Sequence, residues 1–147
     1  MRELTAAETG LLAPLFESLA CHHNGVSEHF SGRFPTHPVE RQLEECRSDL
    51  ESGKTRVAVI ENGEGSVIAC CKIDIVDGRG YLDELVVMPE HRSKGLGTQL
   101  IAWADDVFRQ TGVTECELMV VVGNNRVQRF YERHGYLPAL TVMRRYA

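Results

Sequence analysis

Arg92, Lys94, Gly95 and Gly97 stand together in the stretch EHRSKGLGTQL, residues 90–100, in front of an apolar-periodic run. If a helix begins near Gly95, the amides of Lys94, Gly95, Leu96, Gly97 and Thr98 point out of its N-terminus without partners. The macrodipole adds about half a positive charge at such an end, and phosphate is its usual guest. Glycines at 95 and 97 let a ligand approach the backbone with no Cβ in the way. One dipole contact is worth about 0.3–1 kcal/mol, so several amides and two full cations suit a pyrophosphate better than a carboxylate. A P-loop needs G-x-x-x-x-G-K-[ST], but here the lysine precedes the glycine. A dinucleotide fingerprint needs a third glycine where Leu100 stands. A glycine-punctuated helix start with solvated cations fits the spacing as well, so the residues alone leave both readings open.

Acid–base chemistry has two candidates in YLDELVV, where Asp83 and Glu84 alternate to opposite faces of a regular strand. The other conspicuous residues carry less. His22 and His23 are adjacent in a loop-like stretch without a carboxylate or cysteine pattern to complete a metal site, so no metal is expected. Cys70 and Cys71 lie in an apolar strand, where one of the two is expected to face the core.

These residues need elements to hold them. Thr5-x-x-Glu8 resembles a capping box, and Leu11, Leu12, Leu15, Phe16 and Leu19 follow at helical spacing, which predicts a first helix over residues 5–20. A very short strand can precede it at residues 1–4. Residues 21–38, CHHNGVSEHFSGRFPTHP, lack periodicity and read as a loop. A more polar helix, VERQLEECRSDLESG, should end at Gly53. The period then changes: TRVAVIE and SVIACCKIDIV are strands joined by the hairpin signal NGEG, and a turn at GRG leads to YLDELVVM. Leu96, Leu100, Trp103, Ala104, Val107 and Phe108 share one face of the next helix. ECELMVVV is again a strand, NRVQRFYERHG a short helix closed by Gly135, and ALTVMRRY a last strand. The predicted order is α-α-β-β-β-α-β-α-β, a mixed α/β layer in one domain over residues 1–147.

Composition narrows the class. With 43% hydrophobic and 25% charged residues over 147, the chain reads as a soluble domain able to bury a core without staples. A net charge of −5 argues against a nucleic-acid partner. Five cysteines without a C-x-x-C spacing read as free thiols in a reducing compartment. No signal-like start and no apolar run of about twenty residues is present, so a cytoplasmic location without membrane contact is expected.

Two stretches carry a resemblance. LVVMPEHRSKGLGTQL resembles motif A of the GNAT acetyltransferase superfamily, a strand followed by R/Q-x-x-G-x-G/A, with Arg92, Gly95 and Gly97 in register. NNRVQRFYERHGY is similar to that family's N-x-x-A-x-x-F/L-Y-x-x-x-G-F/Y, with Asn124, Phe130, Tyr131, Gly135 and Tyr136 in place and Val127 where alanine is usual. The resemblance implies an α/β GNAT fold: a central mixed, mostly antiparallel sheet flanked by about four helices. It implies acyl transfer from acetyl-coenzyme A to an amine of a small molecule or peptide. Arg92, Ser93, Lys94, Gly95, Leu96, Gly97 and Thr98 would then cradle the pyrophosphate. Leu85, Val86 and Val87, on a strand that splays from its neighbour, would pair with the pantetheine, and the amide of Val87 would polarise the carbonyl. Asn124 would hold the cofactor arm, and Tyr131 would protonate the departing thiolate.

For the base, Glu84 is favoured over Asp83, with an ordered water chain as the alternative. His134 falls on a variable position of the stretch and reads as a surface residue. The acceptor would be met by the loop HFSGRFPTHP and the final hairpin, with Phe30, Arg33 and Phe34 lining a pocket beside Asp83. A non-catalytic acyl-coenzyme A binding domain is the rival reading, since it would keep the phosphate site and need neither base nor acid. A homodimer is left open.

Overall fold

The computed structural model describes residues 1–147. Its sheet has five strands in the order β1-β2-β3-β4-β5: β1 Arg2–Glu3, β2 Thr55–Glu61, β3 Val67–Val76, β4 Arg79–Val87 and β5 Cys116–Glu117. Antiparallel pairing joins β1 through β4, and β4 meets β5 in parallel. The helices are α1 Ala13–Val26, α2 Val39–Ser52, α3 Leu96–Gln110 and α4 Asn125–Arg133.

Local chemistry explains these boundaries. The Asn62 side chain accepts from the amides of Glu64 and Ser66, both at 3.0 Å, which closes the β2–β3 hairpin. Between β3 and β4 the turn sits on Asp77 and Gly78, both at positive φ (51° and 76°), the two-residue geometry that matches strand twist. Arg79 and Gly80, expected as turn, are therefore strand. Gly53, left-handed at φ 80°, ends α2 as expected.

The sheet is covered on both sides. On one, Ala58, Ile60, Cys71, Ile73 and Leu82 pack against α3 and α4 through Leu100, Ile101, Ala104, Phe108 and Tyr131. On the other, Val57, Val59, Cys70 and Val86 pack against Leu4, Leu12, Leu15, Phe16 and Cys46. Cys70 and Cys71 are thus both fully buried, one in each layer, where a single core face had been expected. Burial raises both thiols above their ordinary range, which makes them poor nucleophiles.

Four sequence-based expectations change. The first helix begins as a tight 3-10 segment, Ala6–Leu12, in which Thr5 donates its amide and hydroxyl to the Glu8 carboxylate at 2.8 and 2.9 Å. Helix α1 then runs on to Val26, so His22 and His23 are helical rather than in a loop. Strand β5 keeps only two residues of ECELMVVV, because its partner β4 turns away beyond Glu117. The segment ALTVMRRY forms no strand: residues 137–147 run unpaired, with Leu140 and Met143 about 90% exposed (87% and 92%). Alternation supplies strand propensity, but a strand also needs an edge in register, and β5 offers almost none.

Gly80 marks the tightest contact between layers. A Cβ there would lie 2.6 Å from Phe108 Cε1, so the ring rests on bare backbone where β4 meets β5. Gly80→Ala should lower stability by about 1–3 kcal/mol, the usual result of overpacking. A urea titration should show the midpoint falling with unchanged slope, and Phe108→Leu added to Gly80→Ala should recover part of the loss.

Candidate active site

The loop between β4 and α3 folds as its charges and glycines suggest. Ser93 and Gly95 both adopt positive φ (63° and 79°), so successive amides turn into one concave surface. The first helical bond runs from the Gln99 amide to the Gly95 carbonyl at 3.1 Å, leaving the amides of Leu96, Gly97 and Thr98 without helical partners. Gly95 is needed for its backbone conformation, since a Cβ there would meet open space. Gly97 has a second reason beyond ligand approach: a Cβ would lie 3.2 Å from Phe130 Cζ, so it also seats α4 on α3. Arg126 of α4 reaches Ser93 Oγ at 3.4 Å and adds a cation at the loop that sequence reading had missed. Arg92 stays exposed but folds back on β4, where its Nε donates to the Val87 carbonyl at 3.1 Å.

Strand β4 carries the acids. Its pairing with β5 ends at Tyr81 and Glu117, and a notch of about 70 Å³ opens there between Tyr81, Leu82, Asp83, Glu117, Leu118 and Met119. Leu85, Val86 and Val87 are therefore paired only on their β3 side. That matches the splay expected there; a separate irregularity lies earlier on the β3 side, between the rungs Lys72↔Glu84 and Ile73↔Leu82, where Asp83 is the extra residue of a bulge. Leu82 packs in the α3 layer and Val86 in the α1/α2 layer, so the bulge turns both Asp83 and Glu84 to the Val86 side. The two acids do not alternate.

Their environments then diverge. Asp83 accepts an ion pair from Lys72 Nζ at 2.5 Å, and its side chain is 44% exposed. Glu84 is half-buried; desolvation, reinforced by the Asp83 charge, pushes its carboxyl up to about 8. Tyr131, 8% exposed, projects from α4 into the other layer with its ring 5.4 Å from Phe130 and 5.9 Å from Tyr136. Burial chiefly, then the neighbouring Cys71, Tyr136 and Glu84, raises its phenol, so it stays protonated at neutral pH.

Asn124 caps α4 and is 7% exposed. Beside it sits His22, whose imidazole is held below its ordinary value by burial and then by Arg92. The loop expected to meet the acceptor is gripped by Asn24, whose Oδ1 accepts from Gly32 and Phe34 at 2.7 and 3.0 Å. Phe34 packs on His23 with ring centroids 5.2 Å apart, and Phe30 packs on Tyr146 at 5.6 Å. The Arg33 guanidinium stacks 4.2 Å over that same Tyr146 ring, so the C-terminal segment reaches the loop through one residue, without forming the expected hairpin. His134, expected as a free surface residue, packs its ring 4.7 Å from Phe130 and stands 3.5 Å from Thr98 Oγ1.

The sequence pattern of the Acetyltransferase (GNAT) family matches residues 22–136. The chain belongs to the GNAT family. Among curated proteins, it is 42% identical over 57 residues to the aminoalkylphosphonate N-acetyltransferase of Salmonella typhimurium, covering 39% of this chain and 37% of that protein. The matched segments span less than half the length of each curated relative. Among solved structures, a GCN5-related N-acetyltransferase from Ralstonia eutropha superposes with a TM-score of 0.80 at 20% identity, covering 99% of this GNAT chain and 96% of that one. The aminoglycoside N-acetyltransferase AAC(6')-Iy, crystallised with CoA, superposes with a TM-score of 0.74 at 17% identity, covering 99% and 92%. At these identities the two structures establish the GNAT fold. No helix is long and apolar enough to cross a membrane.

The raised Glu84 carboxyl has a consequence for stability. Its folded value, about 8, exceeds the ordinary 4.5, so the native GNAT chain holds this proton longer than the unfolded chain does. Its contribution is therefore complete below about pH 4.5 and declines as pH rises through about 8. Glu84→Gln should flatten that decline. Wild type minus variant, from urea unfolding at pH 5, 7 and 9, should change monotonically by on the order of a few kcal/mol.

Proposed function

We propose that the protein is an acetyl-coenzyme A-dependent N-acetyltransferase that moves the acetyl group directly to a primary amine, with Glu84 as general base and Tyr131 as general acid. The observation that carries this reading is the divergence of Asp83 and Glu84 on one bulged strand: the first is tied up by Lys72, the second is left with a carboxyl basic enough to work near neutral pH. The loop beside them fits a pyrophosphate, with the amides of Leu96, Gly97 and Thr98 at a concave helix start and Arg126 alongside. Bound there, coenzyme A supplies a thioester as acyl donor.

The chain's residues account for the rest of the reaction. An amine attacks only as the free base, and deprotonating a lysine-like amine at pH 7 costs about 4.6 kcal/mol. Proton transfer from an ammonium of pKa about 10.4 to Glu84 is uphill by about 3.3 kcal/mol, against about 8 for an ordinary carboxylate. The backbone of Leu85, Val86 and Val87, without a β5 partner, is available to an extended ligand arm, and the Val87 amide suits the developing oxyanion. Asn124, buried at the start of α4, suits the same arm. Tyr131 keeps its proton at neutral pH and can donate it to the leaving thiolate. Phe30, Arg33 and Phe34 stand on the acceptor side. The names of the Salmonella relative and of AAC(6')-Iy both speak of amine-bearing acceptors, which supports an amine here.

Four variants test this reading. Coenzyme A should raise the melting temperature of the wild type, and Gly97→Glu should nearly abolish that effect. Gly97→Ala, which only presses on Phe130, should retain most of it. Glu84→Gln should lower turnover of an amine panel by about 10²–10⁴ at neutral pH, with the loss shrinking as pH approaches the amine's own pKa. Tyr131→Phe should keep coenzyme A affinity and lose at least about tenfold in turnover. Thermal stabilisation with no acetylated product from any amine would instead make the chain a binding domain.

A further inference from the structure

We propose that Lys72 is a positioning residue for the transfer, setting the basicity of Glu84 by holding Asp83 as its permanent counter-ion. The proposal rests on the assignment of Glu84 as the base, and its geometry is independent of that assignment.

Lys72 is an unusual residue for the middle of a sheet. It lies on β3 in register with Glu84 and is 8% exposed. Burial of an ammonium is unfavourable unless it is paired. Here its Nζ donates to Asp83 Oδ2 at 2.5 Å and to Asp74 Oδ1 and Oδ2 at 3.2 and 3.4 Å. Asp74 is fixed in turn by the Thr55 hydroxyl from β2. The bulge at Asp83 lets one lysine face two consecutive acids: a regular strand would have put Asp83 in the α3 layer.

The cluster is therefore three carboxyls around one ammonium, and Lys72 bonds only two of them. Asp74, Asp83 and Lys72 already sum to one negative charge, so ionising Glu84 adds a second within the same half-buried space. The groups acting on Glu84 are Asp83, Lys72 and Asp74. From α2, Glu45 feels the lysine, and Cys46, with Asp49 near it, faces the cluster with a thiol that burial pushes up to about 11. Cys70 from β3 and Tyr131 from α4 feel the Glu84 charge weakly, and burial keeps both protonated. From α1, His22 and His23 turn to Asn124 and Phe34 instead.

The sign of each substitution follows. Removing the lysine charge leaves two unopposed carboxylates beside Glu84 and makes it more basic. Neutralising Asp83 frees the lysine to oppose Glu84 and makes it less basic. A residue that merely filled space would move the titration in neither direction.

The test follows the Glu84 carboxyl by ¹³C NMR and, in parallel, kcat/KM against pH with an accepted amine, in wild type, Lys72→Met, Lys72→Arg and Asp83→Asn. We expect the Glu84 midpoint to rise by about one unit or more in Lys72→Met, to fall by about as much in Asp83→Asn, and to stay near wild type in Lys72→Arg. The kinetic limb should move in step with the carboxyl. Asp83 is 44% exposed, so Asp83→Asn decides the matter even if Lys72→Met does not fold. Midpoints unchanged in the folded variants would overturn the role of Lys72. If the carboxyl midpoints move while the kinetic limb survives Glu84→Gln, the coupling stands and the assignment of Glu84 as base fails.

Discussion

Only two rungs, Gly80↔Cys116 and Tyr81↔Glu117, pair β5 with β4, and the parting of the strands beyond them is the constraint that organises the molecule. A sheet covered by helices on both faces has no route from one layer to the other except where strands separate. Here a notch opens between Tyr81, Leu82 and Asp83 of β4 and the segment Glu117, Leu118 and Met119. The separation also leaves one edge of the β4 backbone beyond the notch without a strand partner, although buried backbone groups demand partners. One of them, the Val87 carbonyl, is met by Arg92 from the loop. The loop's curvature, with Ser93 and Gly95 left-handed, is thus tied to the strand that it follows.

The bulge at Asp83 is the second device, and it works through register. An extra residue reverses the side-chain alternation at one point, so two adjacent acids share a face that also presents a buried lysine. Like charges so placed cannot both ionise freely unless something separates their environments. Lys72 separates them by choosing Asp83, the more exposed acid. The arrangement is costly in desolvation, and well-formed ion pairs offset it only when hydrogen bonds are complete. Asp74, held by Thr55, completes them.

How much of this was legible in the sequence depended on whether the signal was local. The α3 stripe, the left-handed Gly53, the NGEG hairpin and the helix start at Gly95 all rest on neighbours within a few residues, and each appears where the pattern placed it. The bulge could not be read, because it depends on how β4 pairs with β3, and Asp83–Glu84 looks like ordinary alternation in a single strand. Strand-like ALTVMRRY failed for the same reason in reverse: its propensity is real, but pairing needs an edge that β5 does not extend. Arg126 and His22 were missed because their partners, Ser93 and Asn124, are far away in the chain. His22 was hidden further by the helix's continuation through CHHNGV, which has polar residues where apolar periodicity was sought.

That continuation has a purpose in the architecture. The end of α1 holds two segments. Asn24 grips the loop before α2 through Gly32 and Phe34, while two residues on, Val26 meets the segment that leads to Asn124. The Glu28 amide donates to the Val122 carbonyl at 3.0 Å, and Gly123 at φ 109° passes so close that a Cβ would lie 2.2 Å from the Val26 carbonyl oxygen. No side chain fits between, so the backbone before α4 is seated directly on the helix end. The loop before α2 and the start of α4 are therefore anchored on the same helix end. A displacement of the loop that leaves Asn24 in place need not reach Asn124, whereas a shift of α1 itself moves both together. This makes the helix end, rather than either segment, the element that keeps the loop before α2 and the start of α4 in register.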